Sequence, residues 1–84
     1  MENLLYVHNN AYMEVKNRLK NIGINIKSER LRHGISQEEL AEKCEISRNS
    51  VSLIETGKIN PTILRVIDIA KVLNVDVSSL VKGA

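Results

Sequence analysis

Residues Ser36 to Gly57 read SQEELAEKCEISRNSVSLIETG, and the fold follows from them. Ser36 is placed to cap a helix: its hydroxyl can accept from the backbone amide of Glu39, the third helical residue, whose carboxylate can reach back to the Ser36 amide. Ile35, just before the cap, is spaced to staple onto Leu40. Eleven residues on, the device recurs. Ser47 caps, Arg48 opens a second helix, and Ile46 is spaced to pack on Val51. Two helix starts this close leave room for one tight corner.

Between the caps, Leu40, Ala41 and Cys44 fall at the three-and-four spacing of a buried stripe, and Val51 and Ile54 repeat it in the second helix. Both helices therefore pack inward. Ala41 is small where the axes should cross most closely, which suits a crossing of roughly 90 to 120°. Gly57 tolerates positive φ just past Glu55 and Thr56 and ends the second helix. With Val51 and Ile54 inward, Arg48, Asn49, Ser52 and Leu53 remain on the outer side. The layout is a helix-turn-helix, and a helix with such an outer face suits the major groove of DNA.

Outward from this unit, residues 58–61 form an exit loop and Thr62 caps a helix with Val66, Ile69, Ala70 and Leu73 on its inner stripe. Asn74 closes that helix. Asp76 caps a last short one, with Val75 stapled to Leu80. Upstream, Tyr12, Val15, Leu19, Ile22 and Ile26 follow alternating spacings of three and four, a narrow helical seam. Gly23 interrupts it at a cost of about 1 kcal/mol relative to Ala, so the sequence admits either one long helix or a break near residues 21–23. Residues 1–10 are expected to fray. The chain thus divides into an N-terminal extension, residues 1–20, partly helical or frayed, and a DNA-binding domain, residues 21–84, with the helix-turn-helix at about 36–57. The extension is suited to dimerisation, to DNA contact through Lys16, Arg18 and Lys20, or to packing on its own domain.

The segments IGINIKSERLRHG, ISQEELAEKC, ISRNSVSLIETGKINP, TILRVIDIAKVLNV and DVSSLV, taken in order, resemble the Cro and phage-repressor class of helix-turn-helix proteins, the XRE family. The match covers roughly residues 21–81. The resemblance implies an all-α, compact five-helix, lambda-repressor-like domain that binds double-stranded operator DNA as a homodimer, with no catalysis, no metal and no cofactor. Arg48 and Asn49 stand where the family most often places base-reading side chains. Arg pairs with guanine O6 and N7 and Asn with adenine N6 and N7, each worth about 1 to 3 kcal/mol of discrimination. Ser52 and Leu53 lie one turn on. Leu53 replaces a residue that is often Arg, Lys or Gln, which points to a thymine methyl contact or to packing on a neighbouring helix.

Phosphate contacts are implied for Gln37, at a helix N-terminus whose free amides favour an anion, and for Ser47, Lys58, Asn60 and Thr62. Ser47 and Thr62 are needed as caps whether or not DNA is present. The resemblance also implies a partly buried ion pair between Arg30 and Glu55, an architectural feature. Cys44 takes the place of an aliphatic core residue. Two departures stand out: Glu45 occupies a turn position that is usually Gly, where a side chain costs about 1 to 2 kcal/mol, and His33 replaces a residue that is often apolar.

Composition agrees. A chain of 84 residues has room for one domain with a small core, burying about 60 to 65% of its unfolded surface. The net charge of +2 says little about a polyanion partner, because the positions of Arg48, Lys58 and Lys43 matter more than the sum. The single cysteine rules out an intrachain disulfide framework and fits a reducing cytoplasm. No apolar run approaches the ~20 residues of a membrane helix, and residues 1–10 lack the features of a secretory signal. His8 and His33 have no ligand spacing. Paired catalytic carboxylates, a nucleophile with its base, a Gly-rich phosphate loop and an evident small-molecule site are all missing, so the sequence does not read as an enzyme.

The expected function is sequence-specific DNA binding by a dimeric transcriptional regulator, a repressor or autoregulator, reading with the helix from Arg48 to Thr56. A different class, an antitoxin or other protein-interaction module with secondary DNA binding, draws on Leu4, Leu5 and the seam from Tyr12. Ile67, Val77 and Val81 are the expected dimer interface, because too little core lies near them to hide all three.

Overall fold

The structure, a computed structural model, describes the backbone of residues 2–84 and the side chains of residues 11–84. Five helices follow one another, and no strand is present among the described residues: α1 (Glu2–Arg32), α2 (Gln37–Cys44), α3 (Arg48–Glu55), α4 (Ile63–Leu73) and α5 (Val77–Val81).

The caps form where local chemistry places them. Ser36 accepts from the Glu39 amide at 3.0 Å and its own amide donates to the Glu39 carboxylate at 3.2 Å, a complete capping box. Ser47 accepts from the Ser50 amide, Thr62 from that of Arg65, and Asp76 from that of Ser78. Helix exits follow the same logic. Gly57 adopts φ 69°, Asn74 φ 53° and Glu45 φ 57°, so the turn of the helix-turn-helix carries a glutamate in the left-handed region.

Leu40, Ala41, Cys44, Val51, Ile54, Val66, Ile69, Ala70, Leu73 and Leu80 close into one core with Ile26 of α1, and Ile35, Ile46 and Val75 pack at its edge as staples. Burial pushes the Cys44 thiol above its ordinary pKa, with the Asp68 carboxylate adding to the effect. The residue behaves as a small hydrophobe.

Helix α1 takes the first of the two courses that the sequence admits: it runs unbroken through Gly23, from Glu2 to Arg32. The side chains of residues 1–10, Leu4 and Leu5 included, lie outside those described. Gly23 sits where α1 crosses the end of α3: a Cβ there would overlap the carbonyl oxygens of Ile54 and Glu55. The glycine is needed for close approach, which outweighs its cost to the helix. On either side of the crossing, Asn21 donates to the Gly83 carbonyl (3.0 Å) and Asn25 to those of Leu80 (3.1 Å) and Lys82 (2.7 Å), fastening α5 to α1. Further toward the N-terminus, residues 11–18 are exposed. The seam read from the sequence is thus split: Ile26 is buried, Ile22 and Leu19 are half-buried, and Val15 and Tyr12 stand in solvent.

Candidate nucleic-acid interface

Helix α3 is held from behind by its own last residue. Glu55 is only 5% exposed and Arg30 6%, and they form a two-pronged ion pair, Nε to Oε2 at 2.7 Å and Nη2 to Oε1 at 3.1 Å. The guanidinium has a further partner in the Ile35 carbonyl (2.9 Å), and the Gln37 amide donates to Glu55 Oε1 at 3.0 Å. Helices α1, α2 and α3 therefore meet on one carboxylate. Both charges are satisfied, the condition under which a buried pair is tolerated.

With α3 fixed in this way, Arg48 and Asn49 are exposed at its start, Ser52 is half-buried one turn on, and these three line a shallow concavity with Gln37. Glu38 pairs with the Arg48 head at 4.0 Å between two well-exposed groups, a weak pairing in water. The structure thus brings together Arg48, Asn49, Ser52 and Gln37 from the sequence-derived set. Leu53 is half-buried, between the two roles that the sequence left open.

Among the phosphate candidates, Gln37 departs most from expectation. Its side chain is engaged with Glu55, so what it offers an anion is its backbone amide, which with that of Glu38 has no acceptor inside the helix. Ser47 and Thr62 serve as caps, the Ser47 hydroxyl also lying 2.9 Å from that of Ser50. Lys58 and Asn60 are exposed on the exit loop. Sequence reasoning passed over Thr56, which is exposed four residues after Ser52, its hydroxyl donating to the Ser52 carbonyl at 2.7 Å. The four-residue step places it on the same face.

The apolar surface also needs revision. Val81 is exposed, but Ile67 is half-buried and Val77 packs against the core, so α5 offers less than expected: a helix this short turns Val77 inward beside Leu80. The larger exposure lies at the start of α4 and the loop before it, at Ile63, Leu64 and Ile59. Ile63 and Ile67, four residues apart, share one stripe there.

Comparison with known proteins accords with this geometry. The helix-turn-helix family model matches residues 26–80, which includes every element just described except most of α1. Two proteins described as HTH-type transcriptional regulators, from Archaeoglobus fulgidus and Methanocaldococcus jannaschii, are 36% and 34% identical to this chain over 55 residues. Each alignment takes in 66% of this chain, and 79% and 83% of the two relatives. Among solved structures, the restriction-modification controller protein C.AhdI of Aeromonas hydrophila superposes with a TM-score of 0.72 at 27% identity, over 74% of this chain and 94% of the controller. A hypothetical transcription factor, NHTF, from Neisseria gives the same TM-score at 30% identity, over 79% and 77%. Fold and site together define a helix-turn-helix DNA-binding protein. This chain belongs to that family in its Cro and phage-repressor form, a class of transcriptional regulators. No described helix is long and apolar enough to cross a membrane, and the described residues hold no cluster of three metal-ligating side chains.

Proposed function

We propose that this protein is a homodimeric, cytoplasmic repressor or autoregulator that reads an operator with Arg48, Asn49, Ser52 and Leu53. The observation that carries the proposal is the pair of exposed side chains Arg48 and Asn49, with half-buried Ser52 beside them, on a helix whose far end is locked by Glu55 to α1 and α2. A reading helix so fixed can present its side chains in one register. Arg48 suits guanine and Asn49 adenine, while Lys58, Asn60 and the amides at the start of α2 suit phosphate, which sets register and salt dependence without reading sequence.

The dimer contact best supported runs along α4, through Ile59, Ile63, Leu64 and Ile67, with Val81 of α5 and without Val77. An apolar patch of this kind on a small protein favours a second copy related by a two-fold axis. Selection of binding sites from a random duplex pool tests the function. A two-fold-symmetric sequence with half-sites about one turn, 34 Å, apart is expected. Recovery of no preferred sequence, or one protein per site at saturation, overturns it.

A further inference from the structure

The charges of α1 are sorted by face. Lys16 and Lys20 are four residues apart and Lys27 follows seven later, so the three share one stripe of the helix, and all are exposed. Among the described side chains of α1, that stripe holds no carboxylate. Glu14 and Glu29 stand on the opposite side, where they pair with Arg18 at 3.6 Å and with Arg32 at 2.6 Å. Two close approaches fix where the stripe faces. A Cβ at Gly23, between Lys20 and Lys27 on the same stripe, would overlap the carbonyls at the end of α3, and a Cβ at Gly57 would overlap the backbone and first side-chain atoms of Lys20. The lysines therefore lie on the α3 side of α1, and Lys20 stands against the exit loop at the residue before exposed Lys58. One turn further along the arm, the Lys16 ammonium lies 5.3 Å from the centroid of the Tyr12 ring, held by an aromatic face that leaves its charge uncompensated.

The geometry points to an accessory phosphate-binding surface, in which Lys20 and Lys16 continue along α1 the track of DNA backbone that begins at Lys58. Charge and continuity choose that occupant. A stripe of one sign suits a polyanion and repels its own image on a second copy. It also adjoins the exit loop of a helix-turn-helix, whose class binds DNA. Arg18, the third cation of this segment, faces the other way beside Glu14 and takes no part. Both lysines precede residue 26, where the family match begins, so the contact is an addition carried by this chain and not a property of the shared fold. In taking the exit loop to face phosphate the inference rests on the reading proposed above; in extending the interface onto α1 it goes beyond it.

Titration of the full-length protein against its selected operator and against an unrelated duplex, each over a range of salt concentrations, tests the inference. Lys16→Ala combined with Lys20→Ala is expected to lower the slope of log affinity against log salt by about two and to weaken both duplexes by the same factor. Lys16→Arg with Lys20→Arg is expected to keep the wild-type slope, and Arg18→Ala, on the opposite side of the same arm, to leave it unchanged. Ala is the best helix former, so unfolding of the arm cannot imitate the loss. An unchanged slope in the double Ala variant, an equal fall in Arg18→Ala, or a loss confined to the operator overturns the inference. The unrelated duplex makes the result independent of any sequence preference, and Lys58→Ala separates the two surfaces. If Lys58→Ala leaves the slope unchanged while the double Ala variant lowers it, the arm contact stands and the exit-loop reading fails. The reverse pattern retains the exit loop and removes the arm.

Discussion

The Glu55 carboxylate accepts three hydrogen bonds, two from Arg30 and one from Gln37, so changing it removes two contacts from the guanidinium and one from the amide. Glu55→Gln strands the buried guanidinium, and stability is expected to fall by about 3 to 5 kcal/mol in urea or thermal unfolding, the usual cost of removing one member of a buried pair. On the opposite side of the same helix, roles separate by chemistry. Arg48→Ala and Asn49→Ala should relax base preference at one or two operator positions, whereas Lys58→Ala should weaken all sequences alike and lower the salt slope by about one. Titrations against point-substituted operators at several salt concentrations decide between these, and a Lys58→Ala variant with altered base preference would reverse the orientation assigned to α3. Residue roles that depend on neighbours were the least legible in the sequence. The Ser36 and Ser47 caps could be read because hydroxyl and amide lie within three residues of each other. The Gln37 side chain could not, because its acceptor is eighteen residues away and competes with the phosphate role that position alone suggests.

At the scale of elements, two backbone positions carry opposite lessons. Gly23 looks in the sequence like a weak point of α1, yet it permits the crossing on which the reading helix rests. Gly23→Ala should gain about 1 kcal/mol in helix propensity and lose more through backbone overlap, so a lowered melting temperature is the expected net result. Glu45 is the converse. Its φ of 57° is that of a glycine position occupied by a side chain, and Glu45→Gly should raise stability by up to about 1 to 2 kcal/mol without altering DNA affinity. Thermal melts read both, and a Gly23→Ala variant as stable as wild type would remove the packing role of the glycine. All the helices after Gly34 were legible, since each begins with a cap and repeats an apolar stripe. The length of α1 was not, because the choice between a break and one continuous helix depends on what lies against Gly23, which no local pattern records. The inward packing of Val77 was not legible either: a five-residue helix has too few turns to show which side faces the core.

For the whole molecule, the arrangement of two copies sets the geometry of the operator. Reading helices one DNA turn apart require half-sites in helical phase, so inserting about five base pairs between them should reduce affinity to that of a single half-site, and inserting about ten should restore part of it. Footprinting on the spaced series checks this. Tight binding that ignores the inserted length would mean that each copy binds alone.

Because α1 is one unbroken helix from Glu2 to Arg32, the residue that anchors α3 and the arm formed by the N-terminal part of α1, exposed at residues 11–18, belong to a single rod. Rotation of a reading helix about the DNA axis therefore turns its arm through the same angle, like a spoke fixed to a hub. Copies on neighbouring operators would have their arms within reach only when the sites lie on the same side of the duplex. Any cooperation carried by the arms should then rise and fall with operator separation at the helical repeat of DNA, about 10 to 10.5 base pairs, rather than decay smoothly as it would through a flexible tether.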